Sequence, residues 1–266
     1  WDSMKAIPMM ANQPAVLGKK SYYACHLIGK KHADGSIGKC DSCHTRHLFS
    51  KKEAQRPEAC ETCHMGEDHS QYEMWRSSKH GVIHHLTPDS GRAPVCQTCH
   101  MDAGNHAVKT GWGFLALRLP IHDKVWADAQ MKVLKAIGPW GWDDKGMADR
   151  VGAIKALDLA RLSDEEFQAK RREMIAICSR CHSRNYVAEH LADADKLIRE
   201  STLLMAEGID AVQALYNDGI LPKTKDGPKH ADLLMFYDSP TPIEQELYEM
   251  FLFHRQKLFQ GVMHTN

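Results

Sequence analysis

One short pattern, Cys-x-x-Cys-His, occurs four times in this chain of 266 residues. The two thiols of such a segment add to the vinyl groups on one edge of a porphyrin, and the adjacent histidine then ligates the iron. The pattern therefore marks the attachment of a c-type haem. The copies comprise Cys40, Cys43 and His44; Cys60, Cys63 and His64; Cys96, Cys99 and His100; and Cys178, Cys181 and His182. They predict at least four covalently bound haems, which are large apolar plates around which the chain must fold.

Zinc binding and disulfide bonding are the alternative uses of such cysteine pairs. The separation between the pairs that begin at Cys40 and Cys60 is similar to that in a zinc ribbon. Zinc does not, however, require a histidine directly after the second cysteine, and that histidine is present in every copy. Disulfides within Cys-x-x-Cys are usually catalytic rather than structural. The sequence therefore favours haem.

The ninth cysteine, Cys25, is followed by His26, but Tyr22 stands where the first cysteine of the pattern would be. The segment has two interpretations. It holds a fifth haem through a single thioether bond, or Cys25 is a free thiol beside an ordinary histidine. The spacing favours neither, so the predicted number of haems is four or five.

Charge and hydropathy exclude several kinds of partner. Lysine plus arginine and aspartate plus glutamate both number 34, so no basic field points to nucleic acid. The apolar runs are too short for a membrane span. Residues 1–11 lack a basic segment followed by an apolar one, so no secretory leader is expected there. Covalent haem attachment nevertheless predicts a periplasmic or equivalent extracytoplasmic location.

The distribution of apolar residues predicts a mainly α, haem-packed fold with two regions. Residues 1–150 hold three complete motifs and the partial one, lack regular periodicity and are expected to be rich in loops. Residues 151–266 hold the fourth motif and are expected to form long helices. One begins at the capping box Ser163–Glu166, and another spans about 186–217. Thr241, Pro242 and Glu244 open a final helix.

A low-spin haem with two histidine ligands needs a distal histidine besides the one in its motif. Three of the remaining histidines follow a motif at short range, and two lie on apolar stripes of predicted helices. These candidate iron ligands are His47, His80, His106, His190 and His254. A histidine on an apolar stripe is more often a packed core residue, but the need for distal ligands favours ligation here. Met65 and Met101 directly follow motif histidines. They are either axial thioether ligands or packing residues against the porphyrin, and packing is the favoured interpretation.

Several strings of residues resemble the octahaem hydroxylamine oxidoreductase family. They are 26–38, 43–50, 56–60, 63–81 and the closing segment 244–264. The resemblance covers most of this chain but only the C-terminal half of such an enzyme. It therefore implies a part of a larger polypeptide, or a split or degenerate relative.

The resemblance implies that hydroxylamine or hydrazine is oxidised at a haem with an open iron position. By order along the chain that haem falls on Cys25 and His26, where Tyr22 departs from the family pattern. An Asp-His pair lies over the open iron in the family, and Asp68 and His69 match it. A base there would accept the protons that leave with the electrons, and a carboxylate beside a histidine raises its basicity.

The resemblance also implies partners. In oxidative members a tyrosine from a neighbouring subunit is bonded to the open haem of a trimer, and Tyr186 is the candidate by position, with Tyr248 second. A redox partner cytochrome would accept the electrons. The alternatives are a complex with further haem subunits, an electron-transfer subunit without a substrate site, and a reductive relative that acts on nitrite or hydroxylamine.

Overall fold

A computed structural model describes residues 40–45, 47–67, 70–88, 90–106, 122–137, 164–222, 231–233 and 241–266. Within these ranges the chain is mainly helical and contains no strand, which confirms the predicted fold class. The helices are α1 (Lys51–Ala54), α2 (Glu58–Glu61), α3 (Gln71–Ser77), α4 (Lys79–Leu86), α5 (Cys96–His100), α6 (Lys124–Ala136), α7 (Asp164–Cys178), α8 (Arg184–Asn217), α9 (Pro242–Glu249) and α10 (Gln256–Met263). Turns of 3-10 helix cover Cys40–Ser42 and Asp102–Gly104, and a π-helix covers Met250–Arg255.

The chain divides into two compact units. The apolar unit comprises Trp1–Ala15, Trp112–Phe167 and Asp195–Leu258, and the motif unit comprises Val16–Gly111, Gln168–Ala194 and Phe259–Asn266. All four complete haem motifs fall in the motif unit. The sequence instead predicts a division at one point, into residues 1–150 and 151–266. That division of the sequence stays a prediction.

The apolar unit has a continuous hydrophobic core. Fully buried side chains from α6 and α8, such as Val133, Leu134 and Met205, pack with Phe251 of the π-helix. Because these residues recur at helical spacing, each helix turns one apolar face inward. At the start of α6, Asp123 Oδ1 accepts a hydrogen bond from Trp126 N at 3.0 Å, which caps the helix.

The predicted helix boundaries in the C-terminal half are largely confirmed. α8 runs from Arg184 to Asn217, and Gly219 follows it with a φ of 72°, a left-handed conformation that suits a helix end. Thr241 caps α9, and Thr241 N donates to Glu244 Oε2 at 3.0 Å, as a capping box requires. Ser163, the expected cap of α7, lies outside the described residues.

The described part of the motif unit before residue 107 contains only short helices, of four to eight residues. The corner between α3 and α4 is tight. Ser78 Oγ donates to Trp75 O at 2.6 Å and accepts from Gly81 N at 3.3 Å, which starts α4 directly after α3 ends. Among the described helices, none is both long enough and apolar enough to cross a bilayer.

Candidate functional site

Each complete motif forms one tight turn in the motif unit. In three of them the histidine N–H donates to the carbonyl of the first cysteine, at 2.9 Å for His44 and His64 and 3.1 Å for His182. The fourth motif is α5 itself. A helical turn places residues three apart on one face, so the two thiols of a motif point the same way. That arrangement suits attachment to one porphyrin edge.

The thiols remain available for attachment. None of the eight described cysteines forms a disulfide, and all are at least partly exposed. In the described ranges, no group of three or more His, Cys, Asp or Glu residues is arranged to hold a metal ion, so the zinc alternative gains no support there. Cys25 and His26 lie outside the described residues.

Three motif histidines each lie close to a second histidine. The ring centres are 6.3 Å apart for His44 and His106, 6.0 Å for His80 and His182, and 6.4 Å for His100 and His264. An imidazole nitrogen lies about 1.1 Å from its ring centre and binds a transition metal at about 2.0–2.1 Å. Two rings on opposite sides of one metal ion therefore have centres about 6.2–6.4 Å apart. The pair of His44 with His106 and the pair of His100 with His264 have this separation, and the pair of His80 with His182 is slightly closer at 6.0 Å. The three pairs are therefore the candidates to hold a haem iron.

His264 was not among the predicted ligands. Burial and, to a smaller extent, the nearby His100 lower the pKa of its imidazole to about 4. Its Nδ1–H donates to the carbonyl oxygen of Gln260 at 2.6 Å, which leaves the Nε2 lone pair free. A neutral imidazole in this tautomer is the form that binds a metal. Asn266 Nδ2 donates to Ser77 Oγ at 2.6 Å and so ties the end of the chain to α3.

A row of rings extends from the last motif along α8. Tyr186 stacks on His182 with ring centres 5.1 Å apart and on His190 with centres 6.1 Å apart. The Nε2 atom of His190 is buried and has no hydrogen-bond partner in the described part of the chain. Burial lowers the pKa of His80, and the neighbouring His182 and His190 lower it further. His80 is therefore a candidate for metal binding as a neutral imidazole. His190 is a candidate because its buried Nε2 atom has no hydrogen-bond partner among the described residues.

The other predicted site residues are placed less favourably or not described. His47 is exposed and has a φ of 77°. His254 is exposed, because the π-helix shifts the register after the buried Phe251. Asp68 and His69 lie outside the described residues. Tyr186 is 53% exposed, whereas Tyr248 is buried in the core of the apolar unit.

Side chains within the motifs hold neighbouring motifs together. Gln97 Nε2 donates to Ala54 O at 2.8 Å and Arg56 O at 2.7 Å, and it lies 3.7 Å from Cys60 Sγ. A hydrogen bond between the Cys60 and Cys96 thiols lowers the pKa of Cys60 and raises that of Cys96. These two attachment sites are therefore adjacent.

The sites at Cys96–His100 and 178–182 are also close. Burial and, to a smaller extent, the nearby Cys178 raise the pKa of the Cys99 thiol to about 11. Arg180 forms an ion pair with Asp102 between these sites. The motifs that begin at Cys60, Cys96 and Cys178 thus follow one another in space as they do along the chain.

These features define a multihaem c-type cytochrome. The chain belongs to the family described as "Seven times multi-haem cytochrome CxxCH", whose model matches residues 25–126 and 153–228. The prediction of several c-type haems is thereby confirmed. A curated relative from Kuenenia stuttgartiensis, described as a probable nitrite reductase-hydroxylamine oxidoreductase fusion protein, is 29% identical over 245 residues, which cover 80% of this chain and 27% of the relative.

Two solved structures share the fold at 22% sequence identity. One is described as a hypothetical multiheme protein, with a TM-score of 0.61 over 91% of this chain and 55% of that one. The other belongs to a reducing HAO-like protein complex of Kuenenia stuttgartiensis, with a TM-score of 0.66 over 99% of this chain and 61% of that one. The match to the curated relative described above spans about a quarter of that relative's length. It is a multihaem cytochrome related to hydroxylamine oxidoreductase-like proteins, as the resemblance implied.

Proposed function

We propose that this chain takes part in oxidising hydroxylamine or hydrazine at an open-coordination haem on Cys25 and His26. The electrons would leave along haems that each have two histidine ligands. The histidine pairs with ring centres 6.0–6.4 Å apart are the observation that carries the electron-transfer part of this proposal. The hydroxylamine oxidoreductase portion named in the curated relative supports the substrate class. When bound, c-type haems supply one-electron redox chemistry.

The distal ligands follow from the ring pairs. In each proposed pair a motif histidine and a histidine from elsewhere in the motif unit would together hold the haem iron. The proposed pairs are His44 with His106, His182 with His80, and His100 with His264. The buried, unpartnered Nε2 of His190 supports its assignment to a further haem. His47 and His254 stay predictions, and their exposed positions add no support.

His69, with Asp68 beside it, is the proposed base over the open iron position. Hydroxylamine and hydrazine lose protons as well as electrons when they are oxidised, so a base must stand next to the substrate nitrogen. A neutral imidazole accepts a proton near neutral pH, and a neighbouring carboxylate both orients it and raises its basicity. Both residues come from the matched string after His64 and stay predictions.

Tyr186 is the proposed residue that bonds to the open haem of a neighbouring copy in a trimer. Its exposed ring supports this role, because a side chain that reaches another subunit must lie on the surface. Tyr248 suits it less, since that ring is buried in the core of its own unit.

The replacement of a motif cysteine by Tyr22 favours a second candidate function, that of an electron-transfer subunit without a substrate site. A reductive relative that acts on nitrite or hydroxylamine is the other alternative, and the absence of a cross-linking tyrosine would favour it. The solved relative from a reducing HAO-like complex supports the reductive version and an assembly with further haem subunits or a redox partner cytochrome. A periplasmic or equivalent location is proposed for either function, because haem is attached covalently outside the cytoplasm.

Replacing His69 with alanine tests the oxidative function. The variant should keep every low-spin haem band, while turnover of hydroxylamine or hydrazine should fall by about 100-fold or more, as expected for loss of a general base. Visible spectra and steady-state assays of the haem-loaded protein measure both quantities. His85→Ala is the matched control, because His85 is an exposed histidine of α4.

Two results would contradict the proposal. A low-spin haem that becomes high-spin in His69→Ala would make His69 an ordinary iron ligand. A reduced spectrum of the unaltered protein with low-spin bands only would remove the open-coordination haem, and the electron-transfer function would then take its place.

A further inference from the structure

An ion pair joins two haem motifs within the motif unit. Arg180 Nη1 lies 2.5 Å from Asp102 Oδ1, and Arg180 Nη2 lies 2.6 Å from Asp102 Oδ2. The guanidinium therefore donates two parallel hydrogen bonds to the carboxylate, a geometry that is more directional than a single contact. The side chain of Asp102 is 19% exposed, so the carboxylate is partly shielded from water.

Both partners occupy positions fixed by the motifs. Arg180 lies directly before Cys181, inside the last motif, and Asp102 follows the motif ligand His100 by two residues. The two residues are 78 apart in the sequence, so the pair connects distant segments at their haem attachment sites. Gln97, also inside a motif, makes a comparable but uncharged link to the residues before Cys60.

We propose that Arg180 and Asp102 are positioning residues for the haems ligated by His100 and His182. The pair holds the two attachment sites at a fixed spacing and balances the charge beside them. Removing one partner leaves the charge of the other beside the haems and should shift a haem reduction potential. The shift should have opposite signs for the two removals. This inference rests on haem attachment and not on the substrate, so it holds whether the chain oxidises, reduces or only transfers electrons.

The signs follow from the charge of the iron. Reduction adds one electron to a ferric haem and removes one unit of positive charge from it. A nearby carboxylate stabilises the ferric state and lowers the reduction potential, whereas a nearby guanidinium stabilises the ferrous state and raises it. In the intact pair the two effects largely cancel, because the opposite charges are in direct contact.

Spectroelectrochemical titration of the haem-loaded protein tests the proposal. Asp102→Asn removes the negative charge beside the guanidinium and should raise one haem potential, and Arg180→Gln removes the positive charge beside the carboxylate and should lower one. Each shift should change the equilibrium constant for reduction by about threefold or more, which is roughly 30 mV for a one-electron couple. The double variant should return close to the unaltered protein.

Matched controls separate charge from geometry. Arg180→Lys keeps the charge but loses the two parallel bonds, so its potential should shift less than that of Arg180→Gln. Asp210→Asn breaks a comparable ion pair, with Lys132 in the apolar unit, and should change no potential. Haem content and low-spin electron paramagnetic resonance signals, measured first, confirm that each variant is loaded.

The proposal is overturned if both single variants shift the potentials in the same direction, or if neither shifts any. Should Asp102→Asn fail to take up haem, the comparison of Arg180→Gln with Arg180→Lys decides alone. Equal potentials in those two variants would then exclude a role for the charge.

Discussion

At the scale of single residues, the proposed ligand His264 can be tested through the spin state of one haem. Replacing His264 with alanine should convert one haem from low-spin to high-spin and leave the others unchanged. The ring centres of His264 and His100 are 6.4 Å apart. The Gln260 carbonyl accepts a hydrogen bond from Nδ1–H of His264, so Nε2 carries the free lone pair. Visible and electron paramagnetic resonance spectra of the oxidised protein measure the change.

The same measurements on His85→Ala provide the control, since that exposed histidine should affect no haem. An unchanged spectrum in His264→Ala would remove His264 as a ligand. The contact with His100 would then be simple ring packing.

Histidine ligands differ in how far the sequence can reveal them. The motif histidines are fixed by their cysteines, and His80 and His106 follow motifs at short range. His264 is 164 residues from His100, and no periodicity links positions that meet only through the tertiary fold. The sequence does contain one local indication of a ligand, because His264 directly follows the apolar closing helix α10. A histidine at that position, however, suits the end of a helix that binds no haem equally well.

At the scale of elements, the corner between α3 and α4 places His80. A Cβ atom added at Gly81 would lie 2.6 Å from the carbonyl oxygen of Arg76, closer than real Cβ contacts, so the backbone of α4 would have to move. Gly81→Ala should therefore destabilise the protein by about 1–3 kcal/mol, the usual scale for overpacking. It should also weaken the low-spin signal of the haem at His182.

Thermal unfolding and the low-spin spectrum of the haem-loaded variant measure these effects. Gly261→Ala is the matched control, because a Cβ there meets Met74 Sδ at an ordinary 3.5 Å and alanine favours a helix. Equal melting temperatures for the two variants would contradict the tight corner.

Helix boundaries were predictable where capping residues mark them, as at Thr241 for α9. The direction in which each side chain of the final helix points could not be predicted in the same way. The stripe of Leu247, Phe251, His254 and Leu258 assumes 3.6 residues per turn throughout, but the π-helix at Met250–Arg255 adds residues to its turns. Leu247 and Phe251 are buried, whereas His254 and Leu258 are exposed. Such a shift depends on tertiary packing, for which the sequence offers no simple pattern.

At the scale of the whole molecule, the two compact units are stabilised differently. In the apolar unit, 15 buried side chains form one hydrophobic cluster. The short helices described between residues 40 and 106 bury few apolar side chains, among them Tyr72 and Trp75. Porphyrin plates can supply the apolar surface that these short helices lack.

Removing haem should therefore unfold one unit and spare the other. In a haem-free form of the full chain, amides of residues 40–106 should exchange with solvent as fast as in an unfolded chain. Amides of α6 and α9, whose apolar faces pack into their own core, should keep protection. Hydrogen exchange followed by mass spectrometry measures both regions in one experiment, and the haem-loaded chain is the control. Protection of residues 40–106 without haem would show that these helices have a core of their own. Loss of protection in α6 and α9 would show that the side-chain cluster alone does not stabilise the apolar unit.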